Sequence, residues 1–392
     1  MSKTRVLIFT EEYFKATTGM FTVVEQLFQG LSRDEFVVDL VVNFEHWTTR
    51  SDIIRLPRLS IAELIRDNTK GVRRKYSLVK AIIFLLTIPF YLFDKIVYLA
   101  FLIHFIRKGK YDVVNVHNGG WPAGWVSRVI ILSAKFSRSR VYYSIHAVPQ
   151  NLFVIGKLYF RIVFKLYSIF IRKFVYPSIF LRDIFDSYNK SKSNIIYNAV
   201  KISLDKHFDA YSYSSDCLRI GFVGSLSSLK CPDDVIYLVT SEDAKKGIFR
   251  VVHFGYIDRD YLIKFKLTEE DLLSLNSFEF NGYTEDRDLV YSSFDILLAP
   301  SRRNESFGLV VIEALSRGLP VVCYYGNAYP EIIENSVNGF LYRDFNELNR
   351  IIEFYSKNRI VLAAQGERAV RICKQKFGID QFIQNYSVLY ND

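Results

Sequence analysis

Two carboxylates, Glu305 and Glu313, stand with seven residues between them in the stretch Ala-Pro-Ser-Arg-Arg-Asn-Glu-Ser-Phe-Gly-Leu-Val-Val-Ile-Glu-Ala-Leu-Ser-Arg-Gly-Leu-Pro-Val-Val, Ala299 to Val322. Each carboxylate offers two acceptor oxygens, which suits the vicinal hydroxyls of a sugar or a ribose. Between them the backbone amides of Ser306, Phe307, Gly308 and Leu309 open a helical segment and attract phosphate. Gly308 lets the backbone come close to such a ligand. Acceptors for hydroxyls on either side of a phosphate cradle describe a sugar joined to a nucleoside diphosphate.

The elements that must position these groups follow from the local pattern. Residues 294–299 form a short apolar run stopped by Pro300 and Ser301, which predicts a buried parallel strand. Residues 309–315 predict a helix ended by Gly318 and Pro320, and 321–325 the next strand. In such β-loop-α-β units ligands sit beyond the carboxyl ends of the strands. Upstream, 218–226 reads as a strand with a glycine-rich turn. Gly221 and Gly224 permit that turn, and Lys230 can place a point charge on a diphosphate. In the first half, 5–10 reads as a buried strand, followed by Thr18-Gly19-Met20-Phe21 and a helix from about residue 22 to 31. Residues 112–117 and 141–146 read as strands ending in His117 and His146. An imidazole there can donate to a sugar hydroxyl without adding a fixed charge. His46, His104, His207 and His253 show no ligand spacing and read as structural.

From Pro300 to Val322 the chain resembles the donor-site signature of the family 4 retaining glycosyltransferases, and fainter matches extend over nearly its whole length. The resemblance implies an α/β fold of GT-B type, two Rossmann-like parallel-sheet domains facing a central cleft. It divides the chain into an acceptor-binding domain (1–205), a domain for the nucleotide-sugar (206–377) and a C-terminal helix (378–392) returning to the first domain. It implies that Glu305 and His146 position the sugar, that Glu313 holds the ribose, and that Lys230 stabilises charge on the leaving diphosphate. Gly19, Gly224, Ser225, Ser306, Phe307, Gly308 and Leu309 would complete the donor site. The implied reaction moves a sugar from a UDP- or GDP-linked donor to a hydroxyl of a glycan or lipid-linked acceptor, in cell-surface polysaccharide or lipopolysaccharide synthesis. No cofactor is implied, the nucleotide-sugar being a co-substrate. Two departures stand out: Ser225 occupies a position where the family usually has arginine, and of the two glycines common near the start only Gly19 remains. They keep open a non-catalytic nucleotide-sugar-binding protein. A non-hydrolysing sugar-nucleotide epimerase, which shares the architecture, is the other alternative.

Charge is distributed unevenly. Residues 1–200 hold 29 Lys and Arg against 14 Asp and Glu, whereas 201–392 hold 22 against 27, so the net +10 belongs to the first half. A coat for nucleic acid has no reason to stop at that boundary, and no nucleic-acid partner is expected. On a helix, Lys157, Arg161, Lys165 and Arg172 fall in one stripe beside apolar and aromatic neighbours, the pattern of an interfacial helix on anionic lipid. Residues 81–106 are mostly apolar, but Pro89 and the Asp94-Lys95 pair argue for two helices rather than a membrane span. No secretory signal is visible, and four cysteines without paired spacing indicate neither disulfides nor zinc. Two Asp-x-Asp strings, 258–260 and 286–288, lie outside the donor frame and read as surface loops, so no required metal is expected. The expected location is the cytoplasm, peripheral on the inner face of the plasma membrane.

Overall fold

The computed structural model describes residues 3–11, 19–43, 50–57, 77–121, 124–149, 154–189, 192–202, 217–228, 230, 232–303 and 305–392, with backbone alone at 77–91, 154–155, 157 and 186–189. Cysteine 231, His46, His207 and the linker expected at 201–216, apart from its first two residues, lie outside the described residues. The chain forms two compact units. One comprises residues 1–176, 185–194 and 386–392, the other 177–184 and 195–385.

The first unit is built on strands β1 (Thr4–Thr10), β2 (Phe36–Val42), β3 (Ile53–Arg55), β4 (Val113–Asn118), β5 (Arg140–Ile145), β6 (Lys173–Tyr176) and β7 (Ser193–Ile195). They lie in the order β3-β2-β1-β4-β5-β6-β7. The pairings from β3 to β6 are parallel. Strands β4 and β5 are almost wholly buried, as the continuous apolar runs of a two-sided parallel sheet require. Helix Gly19–Gly30 starts three residues earlier than its apolar pattern suggests, so Gly19 is its first residue rather than a loop glycine.

Residues 77–109 form one helix, not the two expected from Pro89. Proline removes one backbone donor, and here the helix runs on through it. Asp94, Tyr98, Leu102 and Ile106 recur every fourth residue and are all buried. Helix Trp125–Phe136 fastens to that stripe, Ser133 and Ser137 donating to the carbonyls of Leu99 and Ile103. Leu92, Phe93, Ile96 and Val97 stay exposed on other faces. Among the described residues no helix is long and apolar enough to cross a membrane.

The second unit holds β8 (Leu218–Val223), β9 (Phe249–Phe254), β10 (Phe278–Phe280), β11 (Ile296–Ala299), β12 (Val321–Tyr324) and β13 (Gly339–Tyr342), ordered β10-β9-β8-β11-β12-β13 and parallel throughout. Alternation along β11 sends Ile296 and Leu298 into one apolar layer and Leu297 and Ala299 into the other. Gly221 lies inside β8, where any side chain would collide with the Phe294 ring, so it serves packing rather than the turn. At the amino ends, buried Asp295 accepts from the Arg219 backbone and guanidinium and pairs with Arg359, tying β8 to β11. The opposite ends of those two strands remain for a ligand.

Candidate functional site

Strand order in the second unit reverses between β8 and β11, and in open α/β sheets the crevice beyond the carboxyl ends at such a point is where ligands bind. Strand β8 leads into Gly224 and Ser225, and β11 into Pro300 and the loop that carries Glu305. Across this crevice Lys230 Nζ donates to Glu305 Oε2 at 2.6 Å. The Glu305 side chain is 14% exposed and that of Lys230 39%. Two residues 75 positions apart thus share one charge pair at the mouth of the sheet. Burial, then the negative charge of Glu305, pushes the Tyr329 phenol and the Cys323 thiol well above their ordinary values.

Helix Leu309–Leu315 follows, with Gly308 as its N-cap at φ 105 and ψ 63. That left-handed geometry favours glycine, and a Cβ there would stand 2.9 Å from the Tyr329 ring. Phe307 is buried in the core beside Val311 and Ile312, while Ser306 and Leu309 are half-buried. The Ser306 carbonyl accepts from Ser178 Oγ at 2.6 Å, which anchors the loop from behind. Glu313, four residues into the helix, receives the Tyr291 hydroxyl at 2.5 Å and faces Arg287 at 3.9 Å. Burial and this carboxylate raise the Tyr291 phenol far above its usual range, so the phenol stays a donor. Glu305 and Glu313 therefore have different settings, one on a lysine and one on a tyrosine.

The glycine-rich turn has its own support. Ser225 Oγ lies 2.8 Å from Ser227 Oγ, and the Lys230 amide donates to the Ser227 carbonyl. His253 Nε2 lies 2.9 Å from the Gly224 carbonyl oxygen. A carbonyl can only accept, so Nε2 carries the hydrogen. Burial, only partly offset by that hydrogen bond, holds the ring down to about 4, and it stacks on Phe222 at 5.1 Å. Gly255, in a left-handed conformation, presses on the same Gly224 carbonyl, where a side chain would have no room. His253 is thus structural, as its lack of ligand spacing suggested, and what it holds is the glycine-rich turn after β8. Arg302 does not replace the arginine missing at Ser225: it pairs with buried Asp234 at 2.8 Å, which also receives the Tyr342 hydroxyl. The two Asp-x-Asp strings are helix starts rather than plain loops. Asp258 caps Arg259–Ile263, and Asp286 caps Arg287–Ser292.

In the first unit, His117 is the penultimate residue of the wholly buried β4 and His146 directly follows β5. Their rings stack at 5.2 Å with His117 Nδ1 and His146 Nε2 2.9 Å apart. Burial lowers His146 to about 4; burial and then His146 lower His117 well below its ordinary value, so both rings are neutral near pH 7. Glu11, just past β1, is buried and accepts from the Ser127 amide and hydroxyl, capping helix Trp125–Phe136. No sequence signal singled it out.

Helix Val154–Ser168 presents Arg161 and Lys165 to solvent, and the Lys157 side chain lies outside the described residues. Arg172 is not on that helix. It lies between the helix and β6, and its guanidinium donates to the Asp392 carbonyl at 2.8 Å. The expected four-residue stripe therefore shrinks to the helix's own cations, because the helix ends at Ser168. Beside them Leu158, Ile162 and Leu166 are 59%, 51% and 55% exposed, while Phe160, Val163 and Phe164 fill the core.

Residues 205–371 match the model of the family described as glycosyl transferases group 1. An uncharacterized 41.2 kDa protein in the cps region of Klebsiella pneumoniae is 25% identical over 307 residues, 74% of this chain and 81% of that protein. The O-antigen biosynthesis glycosyltransferase WclY of Escherichia coli is 26% identical over 211 residues, 52% of this chain and 56% of that protein. Among solved structures, Anabaena Alr3699/HepE in complex with UDP superposes with a TM-score of 0.72 at 17% identity, covering 99% of both chains. That likeness establishes the GT-B fold.

Proposed function

We propose, from the match of residues 205–371 to the model of the family described as glycosyl transferases group 1, that the protein is a retaining glycosyltransferase acting on a UDP- or GDP-linked sugar. The acceptor is a hydroxyl of a glycan or lipid-linked oligosaccharide in the synthesis of O-antigen, lipopolysaccharide or a related surface polysaccharide. The observation that carries this reading is the Lys230–Glu305 pair beyond β8 and β11. A cation and a carboxylate side by side match the two halves of a nucleotide-sugar, the anionic diphosphate and the hydroxylated ring.

In the proposed reaction the bond between sugar C1 and the diphosphate oxygen breaks, and the acceptor oxygen bonds to C1 on the same face. The acceptor proton ends on the departing phosphate oxygen, so no separate protein base is needed. Lys230, with the amides at 306–309, stabilises the charge growing on the diphosphate, in place of a metal. Glu305 holds the sugar hydroxyls once the donor has drawn Lys230 towards its phosphates. Glu313, kept in place by Tyr291, holds the ribose. His146, a neutral ring, donates to the sugar, as the family resemblance assigns.

The name of WclY supports a surface-polysaccharide setting, and the UDP bound to HepE puts UDP-sugars first in the donor panel. The exposed Leu158, Ile162 and Leu166 beside Arg161 and Lys165 support an acceptor met at an anionic membrane surface, on the cytoplasmic side where nucleotide-sugars are made. The test is a thermal-unfolding screen of the purified protein against UDP- and GDP-sugars. One class should raise the melting temperature, by about 2.7 kcal/mol of stabilisation at a hundredfold excess over Kd. No shift with any nucleotide-sugar would defeat the proposal.

A further inference from the structure

At the amino end of the first sheet, opposite His117 and His146, the starts of β1, β4 and β5 border a recess of about 510 Å³. Lys3, Lys110, Arg138 and Arg140 line it against one carboxylate, Asp112, four cations to one anion and so an excess of three positive charges. Lys110 and Arg138 are held there by the way two helices end. Helix Ser77–Gly109 closes with the Lys110 amide on the Arg107 carbonyl at 3.1 Å and the Tyr111 amide on the Ile106 carbonyl at 3.5 Å. Helix Trp125–Phe136 closes in the same pattern, Arg138 on Lys135 and Ser139 on Ala134, both at 3.0 Å. The residue that turns the chain out of such an ending is left-handed and usually glycine. Here it is Lys110 at φ 51 and Arg138 at φ 66, each a long cation where glycine would be less strained.

The negative end of a helix attracts cations, and Arg107 answers that pull by donating to the Phe136 carbonyl at 2.9 Å. The side chains of Lys110, Arg138 and Arg140 bond no carbonyl and no carboxylate among the described residues. Lys110 and Arg138 are exposed and Arg140 is half-buried, so all three can be reached from solvent. Asp112 accepts from the Arg5 amide at 2.8 Å, and Asp392 is bonded to Lys173 of the neighbouring strand β6 at 2.5 Å. Like charges gathered in one recess repel each other, and an anion entering it relieves that repulsion. Arginine forks match phosphate oxygens in pairs, and a lysine adds a point charge.

We propose that this recess is a further binding site, in which Lys110, Arg138 and Arg140 hold a ligand carrying at least two phosphate charges. Open α/β sheets bind their substrates beyond the carboxyl ends of the strands, so a site at the amino end serves tethering or regulation rather than sugar transfer. The ligand is a phosphorylated molecule in solution or the phosphates of lipid headgroups, and pyrophosphate is the probe for the chemistry that the two share.

The test is isothermal titration of the full chain with pyrophosphate at low salt. Wild type should show a binding component that persists in Lys230→Met and weakens by about tenfold or more in Arg138→Gly with Arg140→Gln, the loss of charge-assisted hydrogen bonds. Lys110→Gly, at the other helix end, should weaken the same component. Arg138→Gly alone relaxes the left-handed turn, so its unfolding midpoint should equal or exceed that of wild type, which separates lost binding from a damaged fold. Vesicles containing phosphatidylglycerol distinguish the sources. Sedimentation reduced by Arg138→Gly with Arg140→Gln, and by pyrophosphate, assigns the site to lipid headgroups; sedimentation unchanged beside weakened pyrophosphate binding assigns it to a soluble ligand. A wild type that binds no pyrophosphate, or binding equal in the substituted proteins, would overturn the proposal. So would a component lost in Lys230→Met, which would place the pyrophosphate at the donor crevice.

Discussion

Replacing Lys230 by methionine separates the chemistry of the donor site from the stability of the fold. The ammonium lies 2.6 Å from Glu305 Oε2, but the lysine side chain is 39% exposed, so water screens the pair. Such a pair contributes up to about 1 kcal/mol, which in a unit of this size lowers the melting temperature by about 2–4 °C. In the proposed transfer the same charge would face a diphosphate whose negative charge grows as the bond to C1 breaks. Losing one preorganised donor at such a point costs about 10²–10³ in turnover, or about 2.7–4 kcal/mol. The two magnitudes differ enough to be read separately. The assay pairs initial rates of nucleoside diphosphate release in the presence of acceptor with thermal unfolding followed by circular dichroism. A folded Lys230→Met protein that transfers sugar within threefold of wild type would refute the reasoning. It would mean that the diphosphate is neutralised elsewhere.

Gly308→Ala should cost about 1–3 kcal/mol in denaturant unfolding, because it forces a Cβ into left-handed backbone against the buried Tyr329 ring; equal midpoints would contradict the strained cap. Stability should also fall with acid. His117, His146 and His253 are held below the ordinary 6.5, the last two down to about 4, so the unfolded chain takes up protons that the folded chain refuses. Their contribution is fully present above pH 6.5 and is lost as pH falls towards 4, at about 1.4 kcal/mol per pH unit for each histidine; urea midpoints that do not move between pH 7 and 5 would disprove it. Wild type should sediment with vesicles containing phosphatidylglycerol at physiological salt, and Arg161→Glu with Lys165→Glu should release it, each cation near a surface contributing about 1 kcal/mol. Wild type left in the supernatant would point to a soluble acceptor.

What the sequence made legible was local. The apolar run of β11, the break at Pro300, the helix from Leu309 and the stop at Gly318 are each written in adjacent residues, so strand, loop and helix could be placed together. The two Rossmann-like sheets were what the family resemblance implied, and both are present. Partnerships across the sheet were not legible. Nothing near Lys230 announces Glu305, nothing near Glu313 announces Tyr291, and His253 has no neighbour in sequence that points to Gly224. The local rules failed at a proline read as a break and at a glycine read as a turn. Pro89 lies inside a single helix, and Gly221 faces Phe294 instead of making a turn. Arg172 failed for a simpler reason, since a helical stripe holds only as far as the helix, which ends at Ser168.

The central claim is that a sugar passes from a nucleotide donor to an acceptor hydroxyl at the crevice holding Glu305. It is tested most directly by counting nucleoside diphosphate released against sugar transferred, with the donor picked out by the unfolding screen, while the product's anomeric configuration is read by NMR. Wild type should release one diphosphate per sugar transferred and keep the donor's anomeric configuration, and a folded Glu305→Ala protein should do neither at a measurable rate. Turnover of the donor without any acceptor, as an epimerase would show, or transfer undiminished in Glu305→Ala, would contradict the account.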